Sequence, residues 1–409
     1  MISIPFLRKF YLLLALLTCV SLLVFMLNRP GLEGDSLILI RNAYDIPGCF
    51  VQAKWTNCLE AGQYPLFQMM PSLIWRYVGA SQSFAAHFLA YMSFVGWAWM
   101  LWMTYGVLKK KNIAVARLGV LVLLSGYELR YINSSFGEML GAVFAFGAVA
   151  SVFNGTSMPW ILFFSICAGL TKETAPPFVW LFVIVALWIQ SEFTLKKILW
   201  VSAGGAVAVA VNSLLNIFRY DSIMNRAYMD PSNFISSLQL QIDQFFGIFI
   251  SPRAGIFVFW PSLFVCFVLA GLAVVRGPLK HAVPFLGVVG ALAVMALGFS
   301  RLDHPFGWTA WGGRYMVPWL PVSALILLFA YAEDIRNGYF GWASRHPGAH
   351  FALGAVVAFL SLPQYRVLFR HQWVDLIVDY NVPSLFTLLV PGPWVGEWLG
   401  AMFLCSVLL

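Results

Sequence analysis

Five short polar clusters interrupt a strongly apolar chain, and each carries groups suited to acid–base chemistry or anion binding. The first surrounds Asp35 in the segment GLEGDSLILIRNAYD. A carboxylate on a turn beside an apolar span suits a general base that takes a proton from an acceptor hydroxyl. It equally suits a helix N-cap, because the following SLILIRNAY has helical spacing. The spacing alone favours the cap, and the general-base interpretation of Asp35 stays open.

The second and third clusters place carboxylates and a lysine at the ends of apolar segments. In YELRYINSSFGEMLGAVFAFG, Glu138 begins a strongly apolar helix. An ionisable group is costly there and often functional, although the helix dipole also favours a carboxylate in the first turn. In CAGLTKETAPPFVW, Lys172 and Glu173 interrupt an apolar hairpin. They are either an ordinary loop pair or functional groups, and so short a loop has no need of charge, which favours function.

The last two clusters are built around arginines. In FISPRAGIFVFWPSL, Arg253 adjoins a small-residue turn, where it either binds a phosphate bidentately or extends to the membrane interface. In GWTAWGGRYMVPWLP, Arg314 lies among aromatic residues. Aromatics are typical of membrane interfaces, and they also stack on sugar rings and pair with guanidinium groups. The candidate substrate-binding side chains near Arg314 are His304, Trp308, Trp311 and Tyr315.

The elements that must position these clusters are transmembrane helices. The 409 residues are 61% hydrophobic and 10% charged, with a mean hydropathy of +0.80, whereas a soluble domain carries about 25% charged residues. The sequence predicts an all-α, polytopic membrane protein with about eleven (10–13) transmembrane helices. The predicted spans lie near 10–27, 84–108, 113–127, 136–153, 158–171, 175–190, 197–215, 254–275, 281–299, 315–332 and 350–363, with a shorter candidate at 397–409.

We predict one transmembrane domain over residues 1–409, with two long outer loops at 28–83 and 216–253. Both loops contain segments too short or too polar to span a membrane, which predicts helices lying at the interface. The short loops assigned to the inner side are rich in lysine and arginine, so the N-terminus is predicted to be cytoplasmic. All five polar clusters then face outward. The net charge of +8 is therefore a sign of topology and gives no indication of nucleic-acid binding.

The cysteine and histidine pattern gives no sign of a metal site. Six cysteines and six histidines are scattered along the chain without the spacing typical of metal ligands. Cys49 and Cys58 share the first outer loop, where a disulfide and two free thiols are equally compatible with the spacing. We predict no metal and no cofactor.

Several of these segments together resemble the GT-C membrane glycosyltransferases, which use polyprenyl-phosphate sugars as donors. SPRAGIFVFWPSL is similar to an SPG-type segment of bacterial members, and GWTAWGGRYMVPWLP is similar to their W-x-W-G-x-R-Y-x-x-P-x-x-P segment. TKET is similar to the charged break after their fifth span. The resemblance covers the layout of residues 10–330, but only a few short motifs in sequence.

The resemblance implies a bacterial inner-membrane enzyme that moves a hexose or pentose, with inversion, from a polyprenyl-phosphate sugar to an acceptor on the periplasmic face. Asp35 would be the catalytic base, and Glu138 would bind the acceptor or assist that base. Lys172, Arg253 and Arg314 would stabilise the leaving phosphate. The chain has EGDS where the protein mannosyltransferases have an Asp-Glu pair, so a glycan or glycolipid acceptor is expected.

Other classes of membrane protein fit the sequence less well. A transporter or flippase of lipid-linked saccharides is the main alternative, but it would need charged groups at mid-membrane and helices broken in matched halves. A scaffold has no need of three cations near the lipid surface. A ligase or acyltransferase is also conceivable, although the chain has no histidine-centred acyl-transfer motif.

Overall fold

The computed structural model of the protein describes residues 82–133, 137–225, 233–251, 254–307 and 313–369, together with residue 66. Within this part of the chain the fold consists of fourteen α-helices and no β-strand. The predicted all-α membrane fold is confirmed. The predicted spans at 10–27 and 397–409 and nearly all of the first outer loop lie outside the described residues.

The first four helices form two consecutive hairpins. They are α1 (Gln82–Lys109), α2 (Ile113–Leu124), α3 (Gly137–Phe153) and α4 (Met158–Thr171). The turn between α1 and α2 is set by Asn112, whose side chain accepts hydrogen bonds from two backbone N–H groups of the first turn of α2. This N-cap satisfies donors that would otherwise have no partner.

The next four helices follow the break at TKET and extend through the predicted second outer loop. They are α5 (Ala175–Ile189), α6 (Leu195–Tyr220), α7 (Leu238–Ile250) and α8 (Ile256–Phe259). Helix α5 begins with two prolines in its first turn, where the missing N–H groups cost nothing and the fixed φ favours a helical start. Helix α7 lies within the predicted second outer loop, in the segment for which the sequence predicts an interfacial helix.

The remaining helices complete the bundle. They are α9 (Pro261–Arg276), α10 (Ala282–Phe299), α11 (Leu320–Ala330), α12 (Ala332–Ile335), α13 (Gly341–Arg345) and α14 (Pro347–Phe369). Two predicted starts were too early. The span predicted from residue 254 is divided into α8 and α9 just before Pro261, and the span predicted from residue 315 begins as a 3₁₀ turn before α11.

Helix α3 lies at the centre of the described bundle, because all its residues are buried. It packs against α1, α4, α5 and α11. Residues 195–217 of α6 and residues 282–299 of α10 are long and apolar enough to cross a membrane, and seven other described helices are apolar but shorter. Helices α6 and α10 also expose large aliphatic side chains, as expected of surfaces that contact lipid tails.

Two loop segments are joined beside α7. Phe234 and Leu302 form an isolated antiparallel bridge, and the backbone N–H of Asp303 donates to the carbonyl of Asn233 at 2.9 Å. Gln244 of α7, oriented with its side-chain nitrogen toward the loop, donates to the carbonyls of Ser300 and Leu302 at 2.6 and 3.1 Å. These bonds fix the segment that leads to Arg314.

Candidate functional site

Three elements bring polar side chains together at one end of the central helix. Glu138 lies in the first turn of α3. Lys172 directly follows α4 in an extended backbone conformation, which turns it away from the helix axis. Arg314 begins a short 3₁₀ turn, Arg314–Met316, before α11. The three residues are distant in sequence, so only the packing of α3 against the other helices makes them neighbours.

The carboxylate of Glu138 pairs with both cations. Its Oε1 accepts a hydrogen bond from Nε of Arg314 at 2.9 Å and lies 3.2 Å from Nζ of Lys172. The side chains of Glu138, Lys172 and Arg314 are 4%, 16% and 13% exposed. A carboxylate buried to this extent needs opposite charge, because desolvation of an unpaired ion costs several kcal/mol. The one carboxylate of Glu138 is thus shared by two cations.

The cluster still has capacity for a ligand. Oε2 of Glu138 is buried and has no hydrogen-bond partner among the described residues. Lys172 and Arg314 each present N–H donors, and both remain partly exposed. A partly exposed pair of cations, held in place by a buried carboxylate, suits an anion that arrives from the exposed side.

Aromatic residues and backbone bonds fix the positions of the cations. Nζ of Lys172 lies 5.2 Å from the ring centroid of Tyr315, which stacks on Phe299 at 5.1 Å. The backbone N–H of Arg314 donates to the carbonyl of Phe306 at 2.9 Å. The hydroxyl of Tyr127 donates to the carbonyl of Gly313 at 2.8 Å. The turn is therefore held from both sides, and little reorganisation is needed when a ligand binds.

Glu173 joins a different group of side chains although it is next to Lys172 in the chain. Its Oε2 accepts from Nδ2 of Asn216 at 3.4 Å, and its Oε1 accepts from Nδ2 of Asn225 at 3.5 Å. Asn216 lies on α6 and Asn225 follows it in the loop. Both asparagines are buried. The two charged residues of TKET thus belong to two different polar groups: Lys172 contacts Glu138, and Glu173 contacts the two asparagines.

His304 is not linked to Glu138 by any contact among the described residues. Its Nε2 lies 3.3 Å from Oδ2 of Asp303, on the segment bridged to Leu302. The other predicted site residues lie outside the described residues: Asp35, Cys49, Cys58, Arg253, Trp308 and Trp311. The structure therefore brings together Glu138, Lys172, Arg314 and Tyr315 of the predicted set.

Sequence reasoning missed the asparagines. Asn212 and Asn216 are four residues apart on the apolar helix α6, and that spacing puts them on one face. Amide side chains on one face of a membrane helix are expected to bond across to a neighbouring helix. Asn212 does so, because its Nδ2 donates to the carbonyl of Gly169 on α4 at 2.8 Å. The spacing was therefore a usable signal.

Glu128, in the predicted second cluster, is buried elsewhere. It lies in the 3₁₀ segment Tyr127–Asn133, which connects α2 and α3. Neither carboxyl oxygen has a hydrogen-bond partner among the described residues, and burial raises the pKa of the Glu128 carboxyl well above its usual range. Only glycine fits at position 126, since a Cβ there would lie 1.8 Å from Oε2 of Glu128 and 2.2 Å from the ring of Trp260.

The described helices, with a polar cluster at one end of the central helix α3, form a fold similar to that of a solved membrane glycosyltransferase. It resembles the crystal structure of ArnT from Cupriavidus metallidurans, a GT-C glycosyltransferase, in the apo state. That match has a TM-score of 0.52 and 15% sequence identity, and it covers 96% of this chain and 76% of ArnT. The predicted GT-C fold is confirmed.

A second ArnT structure from the same organism, bound to undecaprenyl phosphate, matches with a TM-score of 0.50 and 15% identity. This match covers 98% of the present chain and 77% of ArnT. No protein-family model matches the chain, and no curated protein matches it by sequence. The similarity is therefore one of fold, at a level of identity where sequence comparison finds no relative.

Proposed function

We propose that the protein is a membrane glycosyltransferase that moves a sugar from a polyprenyl-phosphate donor to a glycan or glycolipid acceptor. The observation that carries the proposal is the cluster of Lys172 and Arg314 on the shared carboxylate of Glu138. A polyprenyl-phosphate sugar is a phosphodiester with a negative charge, which two partly exposed cations are suited to bind. The undecaprenyl phosphate bound to ArnT in a fold of the same type supports a polyprenyl-linked ligand.

The reaction increases the charge on the phosphate, and the cluster suits that change. The acceptor oxygen forms a bond to the anomeric carbon while the bond from that carbon to the phosphate oxygen breaks. The bonding electrons remain on the phosphate, which leaves as a more negative monoester, and attack from the opposite face inverts the configuration. Fixed cations such as Lys172 and Arg314 favour such a transition state over the ground state.

The geometry favours a supporting role for Glu138. An ionised carboxylate that is paired with two cations is a weak base, and here it holds Lys172 and Arg314 in position. The proton of the acceptor hydroxyl passes in this proposal to Asp35, which the resemblance to GT-C enzymes suggests as the base. The fixed cations supply to the leaving phosphate the charge stabilisation that metal ions provide in phosphoryl-transfer enzymes, so the proposed step needs no metal.

The proposal includes the placement of the enzyme. The protein is a single transmembrane domain in the bacterial inner membrane, with a cytoplasmic N-terminus and the active site facing the periplasm. The short loops assigned to the inner side are basic and contain few acidic residues, which supports this orientation. In it, the donor's prenyl chain lies among the helices while its phosphate lies at the outer interface.

A turnover assay with purified protein tests the proposal. The protein in lipid nanodiscs is given a panel of undecaprenyl-phosphate sugars and candidate glycolipid acceptors, and free undecaprenyl phosphate and glycosylated acceptor are measured together. Arg314→Ala is expected to lower turnover by about 10²–10³-fold, the usual effect of removing one transition-state donor. The control is Arg336→Ala, which removes an exposed arginine paired with Glu333.

Two results would contradict the proposal. One is full turnover by a correctly folded Arg314→Ala variant. The other is movement of a lipid-linked sugar across a proteoliposome membrane with no release of undecaprenyl phosphate, which would favour the flippase alternative. A correctly folded Asp35→Asn variant with full turnover would overturn only the assignment of the base.

A further inference from the structure

The end of the bundle opposite the candidate site carries a second set of cations. Phe153, the last residue of α3, stacks on Phe329 near the end of α11 at 4.1 Å. Nζ of Lys111 lies 4.8 Å from the centroid of the same Phe329 ring. Because Glu138 is in the first turn of α3, the length of that helix, about 25 Å, separates the two sets of cations.

Two arginines at this end of the bundle are exposed. Arg276 is the last residue of α9, and Arg117 lies in the second turn of α2. In the part of the chain that the structure describes, neither side chain forms a hydrogen bond or an ion pair. Arg117 interrupts the apolar sequence IAVARLGVLVLL, where a charged side chain is costly unless it reaches the interface or a counter-ion.

A π-helical segment, Arg336–Phe340, brings a third arginine to the same surface. The segment contacts α2, and a Cβ added to Gly338 would lie 3.8 Å from Nη1 of Arg276. Arg336 itself is paired with the exposed Glu333 at 3.3 Å, and an exposed pair of this kind contributes little to stability. Arginines gathered at one surface favour an anion, and the guanidinium group suits phosphate oxygens in particular.

Exposed aliphatic side chains adjoin these arginines. Val275 and Leu279, which flank Arg276 in the chain, are 84% and 90% exposed. Ile113, one helical turn before Arg117, is exposed as well. A guanidinium group beside exposed aliphatic side chains matches the boundary between the headgroups and the acyl chains of a bilayer. A phospholipid covers both kinds of surface, whereas a free phosphate ion covers only the charged one.

We propose that Arg117, Arg276 and Arg336 form a binding surface for the headgroup of an anionic phospholipid in the leaflet opposite the candidate site. The lipid phosphate lies against the guanidinium groups, and the acyl chains lie along Val275 and Leu279. In the proposed orientation this is the cytoplasmic leaflet. The inference does not depend on the proposed function, because the surface lies at the other end of the helices.

Lipid binding to the purified full chain tests the inference. Native mass spectrometry measures Kd for phosphatidylglycerol, which is anionic, and for phosphatidylcholine with the same acyl chains, which has no net charge. Phosphatidylglycerol is expected to bind about 25-fold more tightly, about fivefold for each of the two exposed arginines without a paired carboxylate. Arg276→Gln and Arg117→Gln should each remove about fivefold of this preference and leave the Kd of phosphatidylcholine unchanged. The double variant should have no preference.

Arg345→Gln is the matched control. Arg345 is exposed and lies five residues beyond the π-helical segment, and its Nε donates to the carbonyl of Gly341 at 3.0 Å. Its chain neighbours Ser344 and His346 are polar, unlike the aliphatic residues that flank Arg276. The variant loses the same charge as Arg276→Gln, but we expect it to keep the full preference for phosphatidylglycerol.

Four results would overturn the inference. The first is equal binding of the two lipids, and the second is an effect of Arg345→Gln as large as that of Arg276→Gln, which would indicate attraction to overall charge. The third is displacement of phosphatidylglycerol by glycerol 3-phosphate, because the surface would then bind a soluble phosphate. The fourth is loss of the preference in Arg314→Ala and not in Arg276→Gln, which would place the lipid at the candidate site.

Discussion

Glu138 and Glu128 are both buried carboxyl groups near the start of the central helix, but the protein compensates only one of them. Glu138 is paired with Lys172 and Arg314. Glu128 has no hydrogen-bond partner for either oxygen among the described residues, and it packs over Gly126 beside Trp260. The same residue type is thus held as a paired anion at one position and is favoured as a neutral acid at the other.

The difference shows how burial alone fails to identify a functional carboxylate. Both groups are nearly inaccessible, so exposure does not distinguish them. What distinguishes Glu138 is the pair of partly exposed cations that share it, because they give an incoming anion something to bind. Glu128 faces a packed interior of glycine and tryptophan, where no charged ligand is expected.

The largest predicted effect is a difference in stability between two variants, in which either Glu138 or Glu128 is replaced by glutamine. Glu138→Gln removes the charge of the carboxylate that Lys172 and Arg314 share and is expected to lower stability by about 3–5 kcal/mol, the usual cost of breaking a buried ion pair. Glu128→Gln replaces a neutral acid by a neutral amide and is expected to keep or raise stability. The midpoint of denaturant-induced unfolding at pH 6 measures both. Equal losses in the two variants would mean that the ion pairs do not stabilise the fold.

A double substitution then tests whether the loss at Glu138 arises from the unpaired cations. Adding Lys172→Met to Glu138→Gln removes one uncompensated charge and keeps the length of the side chain. The double variant is expected to recover about 1–3 kcal/mol relative to the sum of the single variants, as is typical of directly interacting residues. Strict additivity would show that the contact of 3.2 Å contributes no coupling.

The pH dependence of stability is expected to reveal Glu128. The pKa of its carboxyl is raised in the folded protein by burial, so the folded state keeps a proton that the unfolded chain loses above a pKa of about 4.3. Stability should therefore fall as the pH rises from 5 to 8, by at most about 1.4 kcal/mol per pH unit. Glu128→Gln should reduce this slope, whereas the exposed control Glu333→Gln should not. Parallel curves for the wild-type protein and Glu128→Gln would contradict the prediction.

Much of the helical layout could be predicted because it follows from hydrophobic length and from helix-start signals. Helices α4 and α5 begin and end within one residue of the predicted bounds. Pro176 and Pro177 indicated the start of α5, because proline is favoured in the first turn of a helix and disfavoured in its interior. The start of α9 was misplaced because GIFVFWPSL is apolar throughout. Trp260, which has a non-helical conformation directly before Pro261, separates α8 from α9, and its indole N–H donates to the carbonyl of Val122 at 2.6 Å.

The candidate site was only partly predictable, because its members meet through packing between distant helices. Glu138, Lys172 and Arg314 were each singled out as charged residues at the ends of apolar segments. No spacing rule, however, indicates that Oε1 of Glu138 accepts from both cations. Glu128 lies in the same polar cluster as Glu138, and only Glu138, which begins an apolar helix, was singled out as a candidate site residue. The contrast between them depends on the neighbours that each acquires in the fold.

The smallest predicted effect is that of Gln244→Leu, which should weaken ligand binding at the cluster of Glu138 and should not involve Glu128. Gln244 donates to the carbonyls of Ser300 and Leu302, on the segment that leads to Arg314. Gln244→Leu should loosen that segment and weaken undecaprenyl phosphate binding about threefold, as the loss of one hydrogen bond of modest strength predicts. The control is Gln239→Leu on the same helix, since Gln239 bonds only to the exposed Asp243 among the described residues.

Gln244→Leu also tests the difference between Glu138 and Glu128 when it is combined with Glu138→Gln or with Glu128→Gln. In a Glu138→Gln background the cluster has already lost its counter-ion, so Gln244→Leu should have a smaller further effect on undecaprenyl phosphate binding. In a Glu128→Gln background its threefold effect should persist, because neither carboxyl oxygen of Glu128 bonds to the segment or to the cations in the described part of the chain. An equal effect in both backgrounds would mean that Gln244 acts on binding by a route that does not include the shared carboxylate.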